Sequence, residues 1–297
     1  MVTRRRFLTI SAALAVVGGP LRAAPLRMTG VAMGSAASVI IDHPESERIA
    51  ARVWAEVARL EGVFSLYQPG SALVRLNAAG VIEAPPFELV DCLALAGAVN
   101  AATGGVFDPT VQPLWAALAE AAARGEVANL DAILPLVGWD GVRVDSDRVT
   151  LDRPGMALTL NGIAQGYVAD RVAGMLAGEG LVDILIDMGE IRALGGDPRG
   201  GDWQARVSGG PDVVLRDRAL ATSAPLGTVL DAAGRVGHIL DPHTGATAAA
   251  WRQVSVTAPQ AALADALSTA FCLMDGAAID RAIARFRDAA VVAALPV

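Results

Sequence analysis

Residues 159–190 read TLNGIAQGYVADRVAGMLAGEGLVDILIDMGE: a glycine-punctuated turn, a helix, and a strand that ends on an acidic turn. Ile163, Tyr167, Val168, Val172, Met175 and Leu176 recur at helical spacing, so one face of this helix packs on a core. Asn161 is the expected N-cap, with Gly178 and Gly180 as stops. Leu181 to Ile186 is then predicted to be a short apolar strand. A helix start presents unpaired backbone N–H groups and a partial positive charge, so it can hold an anion. The identity of that anion is the question this stretch raises.

Outward from there, helices and hairpins mix. AASVIID (36–42) alternates as a strand, and ESERIAARVWAEVARLEGVFS (45–65) follows as an amphipathic helix with Ile49, Val53, Val57 and Leu60 on one face. FELVDCLALAGAVNAATGG (87–105) is a second helix ending in glycines. DGVRVDSDRVTLD (140–152) begins a region of short strands, LGGDPRGGDWQARV (194–207) is a turn between two of them, AIDRAIARFRD (278–288) is helical, and AAVVAAL (289–295) is a final strand. Helices and antiparallel hairpins that do not strictly alternate favour α+β over a doubly wound parallel sheet.

The chain has 297 residues, 53% of them hydrophobic and 19% charged, which is the composition of a globular protein with a full core. Its net charge of -7 argues against nucleic-acid binding, which needs a surplus of cations. All 24 basic residues are arginines, so Schiff-base lysines and the phosphate-loop lysine are excluded together. The start, MVTRRRFLTISAALAVVGG, has a cationic head and an apolar run too short to span a membrane, so residues 1–24 are expected to be a signal peptide. Arg4, Arg5, Phe7 and Leu8 suit the twin-arginine route, an ordinary secretory signal being the alternative, and residues 25–297 are expected to form one domain exported to the periplasm. Cys92 and Cys272 sit in apolar helical contexts and are expected to be buried thiols rather than a disulfide framework.

Four segments place polar residues beside glycine or proline: GGVFDPT (104–110), TLNGIAQGY (159–167), HILDPHTG (238–245) and ADALSTA (264–270). In the last, Asp265 and Thr269 are four apart on an apolar helix and share a face. A carboxylate and a hydroxyl aimed one way make half of a hard-cation site, or a threonine bonded back to its own helix. A buried, unpaired carboxylate is costly, so Asp265 needs a partner. His238 and His243 are either acid–base residues or turn histidines, and His43 in DHPESE is expected to be an exposed loop residue. No G-x-G-x-x-G follows a strand.

In this order, MGSAASV (33–39), SLYQPGSALVRLN (65–77), GGVFDPTVQPLW (104–115), NGIAQGYVADRV (161–172), LATSA (220–224), HILDPHTG and ADALSTAF (264–271) resemble the ApbE family, the FAD:protein FMN transferases. NGIAQGY with DMGEIRALG (187–195) looks most like its NosX members, associated with nitrous oxide reductase maturation. The resemblance implies an α+β fold of duplicated T-fold-like units with a largely antiparallel sheet. It also implies magnesium, and FAD as the substrate that is cleaved. FMN is left esterified to a threonine or serine of an exported redox protein, with a NosR-type protein as one such partner. Met33, Tyr67, Val106, Phe107, Asp108 and Ile239 match FAD-contacting positions, and Thr159 and Gln165 stand at two more. The Gly162 carbonyl, Asp265 and Thr269 match the magnesium ligands, Asp265 thereby joining His238 as a catalytic residue. His238 matches the histidine of the transfer step.

Five positions depart from the family pattern. Thr159 replaces an aspartate and Gln165 a lysine, so two opposite charges are lost together; Met188-Gly189-Glu190 replaces Gly-Gly-Asp/Asn, and Ala224 replaces a glycine. Three functions remain open on the sequence: the transferase, a magnesium-dependent FAD pyrophosphatase, and a non-catalytic flavin-binding assembly factor. None of them makes the chain an integral membrane protein.

Overall fold

The computed structural model describes residues 25–297; the expected signal peptide, residues 1–24, lies outside the described residues. The chain opens with β1 (Leu26–Ala32) and β2 (Ser35–Ile41), turned at Met33 and Gly34, both at positive φ. It continues through α1 (Ser46–Phe64), α2 (Ala72–Ala79), β3 (Val81–Glu83), α3 (Phe87–Ala102) and α4 (Gln112–Arg124). The hairpin β4 (Val142–Val144) and β5 (Arg148–Leu151) leads to α5 (Ala164–Gly178), then β6 (Ile184–Asp187) and β7 (Ile191–Leu194). A small hairpin, β8 (Trp203–Arg206) and β9 (Asp212–Leu215), precedes β10 (Ala219–Ser223) and β11 (Trp251–Ala258). Two helices, α6 (Ala261–Phe271) and α7 (Gly276–Ile283), and β12 (Ala290–Pro296) close the chain.

Seven strands form one sheet in the order β1-β2-β6-β7-β10-β11-β12, and every neighbouring pair is antiparallel. Successive strand residues point to opposite faces, and the sequence uses both. Val39, Ile41, Ile184, Ile186, Ala221 and Val254 join the helices in the main core. Ile40, Leu185, Ile191 and Leu220 join the β8–β9 hairpin, with Trp203 and Leu215, in a second one. The ββα order occurs twice, as β1–β2–α1 and β10–β11–α6. This is the expected α+β class: helices on one face of an antiparallel sheet, a hairpin on the other.

The central stretch differs from its sequence reading at both ends. The helix begins at Ala164, with Ile163 rather than Asn161 at the N-cap and no side-chain cap bond. The Leu160 carbonyl accepts from both Ile163 and Ala164 N–H, so a tight turn replaces the capping side chain and leaves Asn161 exposed. At the far end Gly178 closes the helix and Gly180 takes φ 77°, as expected. The strand starts at Ile184, not Leu181, because Asp183 adopts φ 60° and its carboxylate accepts the Gly196 N–H. Cys92 and Cys272 are free and buried, and burial pushes the Cys272 thiol up to about 12. His43 is half-buried in its turn, where Nδ1 accepts the Glu45 N–H, rather than fully exposed. Among the described residues no helix is long and apolar enough to cross a membrane.

Candidate functional site

The crossing of α5 and α6 organises the polar residues. Gly166 is required there: a Cβ at this position would lie 2.3 Å from the Ala261 carbonyl oxygen. The close approach lets the two helices exchange carboxylates. Asp265 Oδ2, on α6, accepts the Gly166 N–H in the first turn of α5 at 3.3 Å. Asp170, on α5, accepts the Ala261 and Ala262 N–H groups at the start of α6, each at 2.9 Å, and pairs with Arg192. Each helix start therefore faces a negative charge from its neighbour, as its dipole favours. The anion held at the start of α5 is Asp265 itself. Ile163 and Ala164 spend their N–H groups on Leu160, and the Gly166 N–H goes to Asp265.

Asp265 is 3% exposed, and burial raises its carboxyl to about 7, the Gly166 N–H pulling it back. Among the described residues no cationic side chain pairs with it, and the Asp170 charge raises it further. Thr269, one turn on, lies against Gly162: a Cβ there would meet the Thr269 hydroxyl oxygen at 3.1 Å. Ser223, at the end of β10, joins its hydroxyl to those of Thr269 at 3.2 Å and Ser268 at 2.7 Å. Thr269 thus brings the Gly162 turn against the helix that carries Asp265 one turn away. Their oxygens, around a buried carboxylate with no cation of its own, fit a hard dication such as magnesium. Among the described residues no cluster of three or more His, Cys, Asp or Glu side chains is poised for a metal. A magnesium ion held here would therefore keep positions for phosphate and water.

The remaining candidates surround this centre. Gln165 donates to the Ser35 hydroxyl at 3.0 Å and lies against Gly189, which links the β1–β2 and β6–β7 turns. Met33 donates its N–H to Glu61, whose other carboxylate oxygen accepts from Gln68. Glu61 thus ties the Met33 turn to the loop that carries Tyr67, which is 71% exposed. Thr159 donates its N–H to the Pro109 carbonyl, which brings GGVFDPT alongside. Asp108 spends its carboxylate inside that loop, on the Thr110 N–H and hydroxyl and the Trp139 N–H; burial raises its pKa. Phe107 and Ile239 bury their side chains in the core, and Val106 packs against it, so these positions offer a ligand mainly main chain. Gly105 faces His243 of the HILDPHTG loop, closing the circuit.

His238 enters from the loop after β10. Its Nδ1 lies 3.1 Å from both the Pro225 and Thr228 carbonyls. Carbonyls only accept, so Nδ1 carries the proton and Nε2 keeps its lone pair. Burial lowers the pKa of the ring, which keeps it neutral at physiological pH. A close turn makes this possible, since a Cβ at Gly237 would meet the Pro225 carbonyl at 2.4 Å. The sequence reading missed Asp170, Glu61, Ser223 and Glu190 as members of this arrangement. Asp170 was visible as an acid four residues after Gly166 on a buried helix; the others act across elements far apart in sequence.

Residues 33–293 match the ApbE family. An FAD:protein FMN transferase of Treponema pallidum (strain Nichols) is 33% identical over 272 residues, 76% of this chain and 73% of that protein. Another, from Vibrio cholerae serotype O1, is 27% identical over 268 residues, 82% and 79% of the two chains. The apo crystal structure of the Pseudomonas stutzeri flavinyl transferase ApbE has the same fold, with a TM-score of 0.77 at 25% identity over 91% of this chain and 95% of that one. The family match runs from the Met33 turn to the last strand and takes in every residue of the α5–α6 centre, so this chain belongs to the ApbE family.

Proposed function

We propose that the protein is an FAD:protein FMN transferase that uses magnesium and modifies a threonine or serine of an exported acceptor. The observation that carries this reading is the convergence of Asp265, Thr269 and the Gly162 turn beside Ser223, two residues from the Pro225 carbonyl that fixes His238. Gly162, Asp265 and Thr269 would hold the metal, which when bound neutralises charge on the diphosphate of FAD. The rest falls to the chain's own groups. His238 Nε2 takes the proton of the acceptor hydroxyl, whose oxygen attacks the FMN phosphorus in line. A new P–O ester bond forms, the P–O–P bridge breaks, and AMP leaves with the bonding electrons. The Met33, Tyr67 and 106–108 segments hold the flavin nucleotide in place for that attack.

The test is co-expression with a candidate acceptor domain, followed by intact-mass measurement. Covalent FMN on one threonine or serine is expected. Rapid AMP release without acceptor would instead make the protein a pyrophosphatase, and tight FAD binding with no turnover an assembly factor. The finer reading is a NosX-type member that flavinylates a NosR-like partner during nitrous oxide reductase maturation. Its support is the NGIAQGY and DMGEIRALG pair. Export by the twin-arginine route rests on Arg4 and Arg5 before Phe7 and Leu8. Neutral residues at both arginines should leave precursor in the cytoplasm, and normal processing of that variant would refute this route.

A further inference from the structure

Glu190 has no role in the scheme above, yet it is 6% exposed and faces the same centre. Register places it. Along β7, Ile191 and Ala193 enter the hairpin-side core while Arg192 reaches Asp170 on the helix side, so Glu190 also turns toward the helices. There Glu190 Oε2 accepts the Thr222 N–H at 3.2 Å, one residue before the Ser223 that joins Thr269. The charge bearing on it most strongly is that of Asp265, followed by Asp187. The nearest arginine along the strand, Arg192, is committed to Asp170. Gln165, which lies against Gly189, is neutral and brings no counter-charge.

Two buried carboxylates that face one centre without a cation repel, and a dication between them removes that cost. Asp265 alone would leave a bound dication with one unbalanced positive charge, to be neutralised only by phosphate. We infer that Glu190 is a second carboxylate of the dication site and lets the protein hold the metal before any flavin nucleotide arrives. The inference rests on the assignment of Asp265 as a metal ligand in the proposed function. Glu190→Gln isolates the charge, because the amide oxygen of glutamine still accepts the Thr222 N–H.

The experiment titrates Mn2+, as the probe, into the folded protein without nucleotide and follows binding by calorimetry or electron paramagnetic resonance. Wild type is expected to bind one Mn2+, Glu190→Gln to bind it at least about tenfold more weakly, and Glu190→Asp to retain most of the affinity. Metal-free Glu190→Gln should melt no lower than wild type, since a repelling charge has been removed rather than a contact. Equal Mn2+ affinity in wild type and Glu190→Gln would overturn the inference, as would a wild type that binds Mn2+ only once FAD is added. In both cases FMN transfer with magnesium would leave the proposed function standing. Nucleotide-independent Mn2+ binding sensitive to Glu190→Gln, without FMN transfer to any acceptor, would support the inference and sink the transferase.

Discussion

Around Asp265 the polar groups are held by packing: two helices pressed together at Gly166, carboxylates exchanged between their starts, hydroxyls joined across from β10. On the other side, Tyr67 stands in solvent, and His238 and His243 sit on loops held by main-chain carbonyls and turns. The first region has the character of a fixed charge centre; the second is carried on loops and turns. Buried groups gain electrostatic strength from the low dielectric, whereas loop residues gain reach. Under the proposed function, charge neutralisation would fall to the helices and substrate contact to the loops.

Substitutions should separate the two. Asp265→Ala is expected to have the largest effect, lowering magnesium-dependent transfer by about a thousandfold while the protein stays folded, as steady-state rates and circular dichroism would show. Wild-type rates in that variant would reduce the helix pair to ordinary structure. His238→Ala should retain FAD binding and lose about a hundredfold in transfer. Because burial lowers its pKa below the ordinary 6.5, transfer at saturating magnesium, which holds Asp265 ionised, should be flat through neutral pH and fall only on an acidic limb below that value. The sign for stability is the same: the unfolded histidine binds its proton more readily, so the stabilisation is present above 6.5 and is lost as pH falls.

Smaller effects probe the scaffold. Gly166→Ala should cost about 3 kcal/mol by forcing α5 from α6, measured by denaturant unfolding. Asp170→Ala should cost about 2 kcal/mol, since two N–H groups at the start of α6 lose their acceptor. Tyr67→Ala should change stability by less than about 0.5 kcal/mol while weakening FAD binding. A large stability loss at Tyr67 would break the contrast between the two regions.

The fold was legible where periodicity governs. Helices 46–64 and 87–102 and the strand at 35–41 follow from spacing alone, because each packs one face or alternates. The boundaries of the central helix were not, since Leu160 supplies by main chain what Asn161 was expected to supply by side chain. That Asp265 and Thr269 share one helix, one turn apart, was legible from their spacing. The partner of Asp265 was not: the Gly166 N–H is 99 residues away in sequence, and only the crossing of two helices reveals it. Glu190 looked like a departure from a pattern, and its burial against the Thr222 N–H depends on strand register that no short window contains.

Anomalous diffraction from crystals grown with Mn2+ and FAD tests the central assignment most directly. The account predicts one manganese peak within about 2.3 Å of the Gly162 carbonyl oxygen, an Asp265 carboxylate oxygen and the Thr269 hydroxyl, with FAD phosphate oxygens completing its shell. A manganese peak elsewhere, with FAD bound and the α5–α6 crossing empty, would contradict it.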